Sequence, residues 1–223
     1  TSSVSANTTA GFSIVTFTTS SGSSDTIGHG LGVAPSVVIC KATAASDDWF
    51  VFHESLGATK RTRLNLTNAT DTNTIWNDTA PTSSVFSLRL TNFGTSRSGV
   101  AYCFAEKKGY SKFGSYTGNG STNGTFIYTG FKPAFVIFKR TDGGSDNWLM
   151  YDNTRNPFNS IDKRLYPDAS DGEDTGSHMD FVSNGIKFIS STGGLNGSGN
   201  TYIYMAFAES PFVTSKGIPT TAR

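Results

Sequence analysis

The amino-acid sequence predicts an all-β protein built from two tandem homologous β-sandwich modules of a jelly-roll-like type. Three observations support this prediction: the composition, a set of repeated sequence blocks, and short apolar segments separated by turn residues. The 223-residue chain is 36% hydrophobic, 13% aromatic and only 16% charged, with 24 glycines. Disordered chains lack aromatic residues and helical proteins are richer in charged residues, so the composition favours strands joined by Gly, Asn and Ser turns.

Four blocks of sequence occur twice in the same order. VAPSVVICK (33–41) matches KPAFVIFK (132–139), and DDWFVFHE (47–54) matches SDNWLMYDN (145–153). Near the end of each copy GVAYCFAE matches YIYMAFAE, and near the start FT matches YT. Repetition at a nearly constant offset indicates one structural unit used twice. We therefore predict a linker at 1–10, modules at 11–110 and 111–213, and a C-terminal tail at 214–223.

Each copy contains the same series of strand signals. A Thr/Phe/Tyr strand opens it, and a Gly/Ser turn leads to a second short strand. VVIC and FVIF are continuous apolar runs, typical of strands buried on both faces. WFVF and WLMY follow after turns, VFSLRL and GIKFIS alternate apolar with polar residues, and the closing strands are almost wholly apolar. About seven short strands per module predict a sandwich, and no amphipathic helix is expected.

The charge and hydropathy patterns exclude several classes of function. The formal net charge is +1, and the largest basic cluster is the small group around Lys60 and Arg61. This argues against nucleic-acid binding, which needs a basic surface. No apolar run approaches the roughly 18 residues that cross a membrane, so no membrane insertion is expected. The polar start does not resemble a signal peptide.

Catalytic groups do not form a recognisable set, and we expect no enzyme activity, metal or cofactor. Glu106 and Glu209 occupy equivalent positions in the two copies, which favours a structural role over a glycosidase pair. His29, His53 and His178 do not lie at metal-ligand spacing. The GHGLG stretch around His29 precedes no helix, so it predicts a turn with positive φ rather than a phosphate-binding loop.

Two groups of aspartates suggest calcium only weakly. The first group is Asp142, Asp146 and Asp152, and the second is Asp168, Asp171 and Asp174. Neither group matches a known calcium-loop pattern, so solvated turns are the preferred interpretation.

One tryptophan is the best candidate for ligand binding. Trp49 and Trp148 recur in both copies, which favours packing, whereas Trp76 occurs in the first copy alone. It precedes Asn77 and Asp78 in a polar loop. An indole can stack on a sugar ring while an amide and a carboxylate bind its hydroxyls. We therefore predict a ligand-binding site at these three residues; the alternative is that the indole closes one end of the sandwich.

Two cysteines lie in strands that are expected to be buried. Cys40 corresponds to Phe138 in the second copy, and Cys103 corresponds to Ala206. A large and a small residue replacing two medium ones suggest neighbouring positions in one packed core. We predict that both thiols are buried, free and close together, and that they stay reduced in a cytoplasm.

The chain resembles a family of proteins over residues 11–223. The phrases that carry the resemblance are TIGHGLGVAPSVVICK, LNLTNATDTNTIWNDTAPTSSVFSL, VAYCFAEKKGYSKFGSYTGNGSTNGTFIYTGFKPAFVIFKRTD and NGSGNTYIYMAFAESPF. They look like an uncharacterised domain of virion and tail-fibre-like proteins from marine bacteriophages. The resemblance assigns no catalytic or ligand-binding residue.

The resemblance implies a virion protein, assembled in the host cytoplasm, in a tail fibre, appendage or capsid decoration. We expect it to mediate host attachment by binding a surface glycan as receptor. Its expected partners are other virion proteins and further copies of itself, by analogy a trimer. Three alternatives stay open: a purely structural virion component, a polysaccharide-degrading tail enzyme, and a secreted lectin.

Overall fold

A computed structural model describes residues 2–43 and 46–210. Strands account for 47% of the residues and helices for 4%, arranged in several antiparallel sheets that do not close into a barrel. The predicted all-β fold of the β-sandwich class is therefore confirmed. The described part of the chain divides into two compact units: unit 1 contains the residues up to Asn65 and Thr70–Glu106, and unit 2 contains Leu66–Ala69 and the residues from Lys107 to Ser210. No helix among the described residues is long and apolar enough to span a membrane.

Unit 1 contains nine strands and one helical turn within the described residues. These are β1 (Ser2–Asn7), β2 (Phe12–Thr18), β3 (Ser24–Gly28), β4 (Val37–Ala42), β5 (Phe50–His53), β6 (Lys60–Arg63), β7 (Asp71–Thr72), β8 (Val85–Arg89), α1 (Leu90–Phe93) and β9 (Ser98–Phe104). One sheet has the order β1-β2-β9-β4-β5-β6-β7, and the other pairs β3 with β8.

Unit 2 contains eight strands and one helical turn within the described part of the chain. These are β10 (Ser111–Thr117), β11 (Phe126–Tyr128), β12 (Pro133–Arg140), β13 (Leu149–Asp152), β14 (Ile161–Arg164), β15 (Asp174–Val182), β16 (Gly185–Phe188), α2 (Gly193–Asn196) and β17 (Thr201–Ala208). Its two sheets have the orders β10-β17-β12-β13 and β11-β16-β15-β14.

The two units share a strand order and a pairing register. Strands β2-β9-β4-β5 follow one another in unit 1 as β10-β17-β12-β13 do in unit 2. Phe104 faces Phe12 and Val37 on its two sides, and Phe207 faces Ser111 and Phe135. These registers agree with the offsets between the repeated sequence blocks. The duplication itself stays a prediction.

Each unit has its own buried core. Strands such as β2 contribute to it because their apolar residues alternate with polar ones. In β2, Val15 and Phe17 point inward, whereas Thr16 and Thr18 are exposed. The core of unit 1 includes Val38, Phe52, Phe86, Leu88 and Phe93, and that of unit 2 includes Val136, Phe138, Tyr151, Met179 and Phe188. The recurring tryptophans pack as expected: Trp148 is buried and half-buried Trp49 stacks on Tyr102 at 6.3 Å.

The start of the chain departs from prediction. Residues 1–10 were expected to form a linker, but Ser2–Asn7 form strand β1, which pairs with β2 over six residues. The prediction is wrong because β1 lies at a sheet edge with every residue exposed. An exposed edge strand is held by backbone hydrogen bonds and needs no apolar pattern. The predicted tail at 214–223 lies outside the described residues.

The boundary between the predicted modules also differs in detail. Unit 1 ends at Glu106 rather than at residue 110. The short segment Leu66–Ala69 belongs to unit 2, where Asn68 forms a β-bridge with Ser145. The buried Lys139 ammonium donates to the carbonyl of Thr67 at 2.7 Å. Such a contact depends on tertiary structure and leaves no local signal in the sequence. The two helical turns, α1 and α2, were likewise not predicted.

Candidate functional site

The predicted ligand-binding residue Trp76 lies in the core of unit 1. Its side chain is 1% exposed and meets the ring of Phe52 edge to face, with centroids 5.7 Å apart. A buried indole cannot stack on a sugar. The ligand-binding prediction is therefore wrong for this residue. Trp76 instead packs in the interior, as the alternative interpretation held.

Asn77 and Asp78 form a turn. Both adopt left-handed backbone angles, with φ of 52° and 49°. The turn is closed by the N–H of Asn77, which donates to the carbonyl of Thr74 at 2.8 Å, and by Thr79, which donates to Trp76 at 3.1 Å. Asn and Asp tolerate this conformation better than other non-glycine residues do. The structure therefore does not bring the three predicted residues together as a ligand surface, and the conformation of Asn77 and Asp78 accounts for their presence.

A different polar site occurs in unit 1, where the ends of β1 and β2 lie beside β3. It is a cleft of about 370 Å³. The lining residues are mostly hydroxyl-bearing: Ser2, Phe17, Thr18, Thr19, Ser20, Asp25, Thr26 and Ile27. Phe17 and Ile27, each 5% exposed, are its apolar lining residues. The lining also includes the exposed Ser2, Thr18, Ser20 and Thr26, so the cleft offers several hydroxyl groups to a polar ligand.

Asp25 is the acidic residue of the cleft, and its position is fixed by Ser20. One carboxylate oxygen accepts the backbone N–H of Ser20 at 2.7 Å, and the other accepts its hydroxyl at 2.7 Å. The N–H of Gly22 donates to the same hydroxyl at 3.1 Å. A carboxylate oxygen can accept more than one hydrogen bond. Asp25 is therefore oriented in advance and keeps accepting capacity for a ligand.

A second cleft adjoins the first. Its volume is about 350 Å³, and it shares Ser2, Phe17 and Thr18 with its neighbour. Its other lining residues are Ser3, Thr16, Thr43, Ser98 and Gly99. The lining carries hydroxyls and no ionisable side chain. Together the two clefts form a polar surface around one end of the β1–β2 pair, which we name the hydroxyl cleft.

Sequence reasoning did not find the hydroxyl cleft. Its lining comes from β1, β2, β3, β9 and the residues that flank strands, which only the fold brings together. One signal was available: residues 2–24 contain no charged side chain and are rich in Ser and Thr. Such a composition is also typical of a linker, so it does not by itself indicate a site.

The histidine at the GHGLG stretch has a structural role. His29 is fully buried, its Nε2 lies 3.1 Å from the carbonyl of Thr82, and its Nδ1 accepts the N–H of Leu31 at 3.3 Å. Burial lowers the pKa of His29, and the hydrogen bond to Thr82 opposes this effect. Gly30 and Gly32 have φ of 70° and 74°, so the predicted turn with positive φ is confirmed.

Several carboxylates considered for chemistry are paired with cations. Glu209 forms an ion pair with Lys132 at 3.0 Å, as expected for a structural residue. Asp142 lies 2.8 Å from Arg140 and also accepts the N–H of Thr201. In the same group, Asp146 pairs with Arg140 and Asp152 pairs with Arg155. In the second group, Asp168 accepts the backbone N–H of Trp148 and Asp174 pairs with Arg164. Within the described residues, no group of three or more His, Cys, Asp or Glu side chains could hold a metal ion.

The predicted burial and proximity of the two cysteines are confirmed. Cys40 and Cys103 are both free and fully buried. Since Cys40 faces Ala101 across β4 and β9, and Cys103 faces Val38, the two thiols are diagonal neighbours on one face of the sheet. Burial raises the pKa of Cys103 to about 12, and burial and the nearby Cys103 raise the pKa of Cys40 further. Neither thiol is therefore a thiolate nucleophile near neutral pH.

The counterparts in unit 2 occupy the same relation. Ala206 faces Val136, and Phe138 faces Tyr204, so Phe138 and Ala206 are diagonal neighbours as well. Both are fully buried. One pair of core positions therefore holds two cysteines in unit 1 and a large and a small residue in unit 2.

These features define a protein of the β-sandwich class with a polar cleft in its first unit. The chain belongs to a family described as a domain of unknown function (DUF7483), whose family model matches residues 1–211. Comparisons with curated proteins and with solved structures found no significant match.

Proposed function

We propose that this protein is a non-enzymatic bacteriophage virion protein that attaches to the host surface by binding glycan in the hydroxyl cleft. The observation that carries the proposal is the cleft itself: a polar surface of unit 1 that is lined by hydroxyls and contains an oriented carboxylate. The resemblance to marine bacteriophage proteins supplies the virion context. A tail fibre, an appendage or a capsid decoration are the proposed locations, with other virion proteins as partners.

The chemistry of the cleft suits a sugar better than an ionic ligand. A sugar presents many hydroxyls and no strong charge, and the cleft presents serine and threonine hydroxyls with one carboxylate. Hydrogen bonds to a charged group contribute about 1.5–3 kcal/mol, more than those between neutral groups. Asp25 should therefore provide much of the affinity, while the surrounding hydroxyls select the orientation of the ring.

Binding is favoured over cleavage because the lining contains a single acidic residue. Glycosidases of the common type use two carboxyl groups about 5–10 Å apart, one on each side of the glycosidic bond. Asp25 is the acidic residue among those that line the two clefts. The alternatives are a polysaccharide-degrading tail enzyme and a purely structural virion component.

A glycan array of bacterial surface polysaccharides tests the proposal. We expect the wild-type protein to bind a subset of the array and Asp25→Asn to bind it about tenfold more weakly, since one hydrogen bond to a charge is worth about 1.5 kcal/mol or more. Asp78→Asn is the matched control, because Asp78 is exposed and lies outside the cleft. It should bind like wild type.

Each other outcome points away from glycan adhesion. Absence of binding to any polysaccharide would support a purely structural component. New reducing ends after incubation with a bound polysaccharide would support an enzyme. Equal loss of binding in the Asp25 and Asp78 variants would show that the cleft is not the site.

A further inference from the structure

Strand β1 presents an uncovered sheet edge. It is the first strand in the order β1-β2-β9-β4-β5-β6-β7, and all six of its residues are exposed. Its paired neighbour within the described residues is β2. The other edge of β1 therefore presents a row of backbone N–H and C=O groups, which can pair with a further strand.

This edge lacks the features that protect other edges of the two units. Proteins protect edge strands with charged residues, proline or short length. β7 has two residues, one of them Asp71, and β11 has three. β10 carries Lys112, and β14 carries Asp162, Lys163 and Arg164. By contrast β1 is the six-residue stretch SSVSAN, which has neither a charge nor a proline.

The side chains of β1 also leave apolar surface exposed beside the edge. Val4 and Ala6 lie opposite Val15 and Ser13, the buried side of β2, so they point toward the core face of the sheet. A Cβ built on Gly30 would come within 2.9 Å of Val4 and 3.3 Å of Ala6, which places both against that loop. Even so, Val4 stays 40% exposed. A strand added at this edge would cover it.

We propose that two copies of this chain associate by pairing β1 with β1 in an antiparallel, twofold arrangement. Directly opposite residues of antiparallel strands point to the same face. A register centred on Val4 places Val4 opposite its own copy, Ser3 opposite Ser5 and Ser2 opposite Ala6, so the largest apolar side chain of the strand meets its own copy and the other pairs are small. No like charges meet, because neither copy carries one on this strand. A twofold axis lets one edge satisfy an identical edge, which is the commonest symmetry of homo-oligomers.

The pairing does not require a glycan, although Ser2 and Ser3 of β1 also line the hydroxyl cleft, so each assembly would carry two such clefts beside the paired strands. Light scattering during size-exclusion chromatography measures the mass of the full chain. We expect twice the 23.7 kDa of one chain for the wild type, and one chain mass for Val4→Lys, because the charge would meet its own copy. Val33→Lys is the matched control: Val33 is a valine, 47% exposed, outside β1. It should remain dimeric.

Disulfide trapping keeps the proposal testable if Val4→Lys fails to fold. The native cysteines are buried, so Val4→Cys introduces an accessible thiol. Under mild oxidation it should form a cross-linked dimer quickly, whereas Val33→Cys should not. A wild-type protein with the mass of one chain would overturn the proposal. So would an oligomer in which both cysteine variants cross-link at the same rate.

Discussion

Replacing Trp76 with alanine separates a core role from a surface role. The indole is 1% exposed and packs against Phe52 in the core of unit 1. Truncating a buried tryptophan to alanine destabilises a protein by about 3–5 kcal/mol, through lost burial and the cavity left behind. The edge-to-face contact between the two rings stabilises the fold by about 0.5–1.5 kcal/mol beyond the contribution of the buried apolar area.

Another feature of Trp76 acts in the opposite direction. Its indole N–H is buried without a hydrogen-bond partner. An unsatisfied buried donor is unfavourable by about 1–3 kcal/mol, so removing it offsets part of the loss. We therefore expect Trp76→Ala to lower the free energy of unfolding by about 3 kcal/mol, the lower end of the range for large-to-small core changes. For a cooperative unit of about 100 residues this lowers the melting temperature by roughly 12–24 °C.

Urea denaturation and thermal melts followed by far-ultraviolet circular dichroism measure both quantities. Trp76→Phe is the matched control, because it keeps an aromatic ring against Phe52 and also removes the unpaired N–H. It should be destabilised by well under half as much as Trp76→Ala. A melting temperature nearly unchanged in Trp76→Ala would refute the core assignment, and would return the indole to the surface as a ligand-binding group.

Three further predictions concern the core, pH and β1. Both cysteines should resist a thiol reagent at pH 8 in the native protein, and denaturation should release two thiols, since burial raises the pKa of each. The folded-state pKa of His29 is lowered from 6.5, so the unfolded chain takes up the proton first and stability should fall as pH drops below 6.5 toward that lowered pKa. The pH dependence of the free energy of unfolding should be weaker in His29→Gln, and it should be unchanged in His178→Gln, because His178 is exposed. Gly30→Ala should destabilise more than Gly32→Ala in urea melts, because both strain the backbone by about 1–2 kcal/mol but only the first clashes with Val4; equal effects would argue against β1 packing there.

The strand framework was predictable because it depends on local patterns. The apolar run that became β4 lies between β9 and β5, where a strand needs apolar residues along most of its length. The repeated blocks also align Cys40 with Phe138 and Cys103 with Ala206. In the structure Cys40 and Cys103 are neighbours in unit 1, and Phe138 and Ala206 are neighbours in unit 2. Strand β1 was missed because it is held by backbone pairing at an exposed edge and has little apolar pattern.

The site was not predictable from local sequence. Trp76 is followed by a run of polar residues, which suggests a surface loop. The left-handed turn at Asn77 and Asp78 sets the direction of the chain there, and the indole lies inside. No spacing rule states which way such a side chain turns. The hydroxyl cleft has the same difficulty, because Ser2 and Asp25 become neighbours only through the pairing of β1 with β2 and the position of β3.

Nuclear magnetic resonance titration of the isotopically labelled protein with a bound oligosaccharide from the array tests the central claim most directly. The hydroxyl cleft predicts that ligand-induced amide shifts concentrate at Thr18–Ser20 and Asp25–Ile27 and saturate together. In Asp25→Asn these amide shifts should need a higher oligosaccharide concentration, in proportion to the weaker binding of the variant. Shifts concentrated in unit 2 or at the turn of Asn77 and Asp78, or no shifts with any glycan, would contradict glycan binding in this cleft.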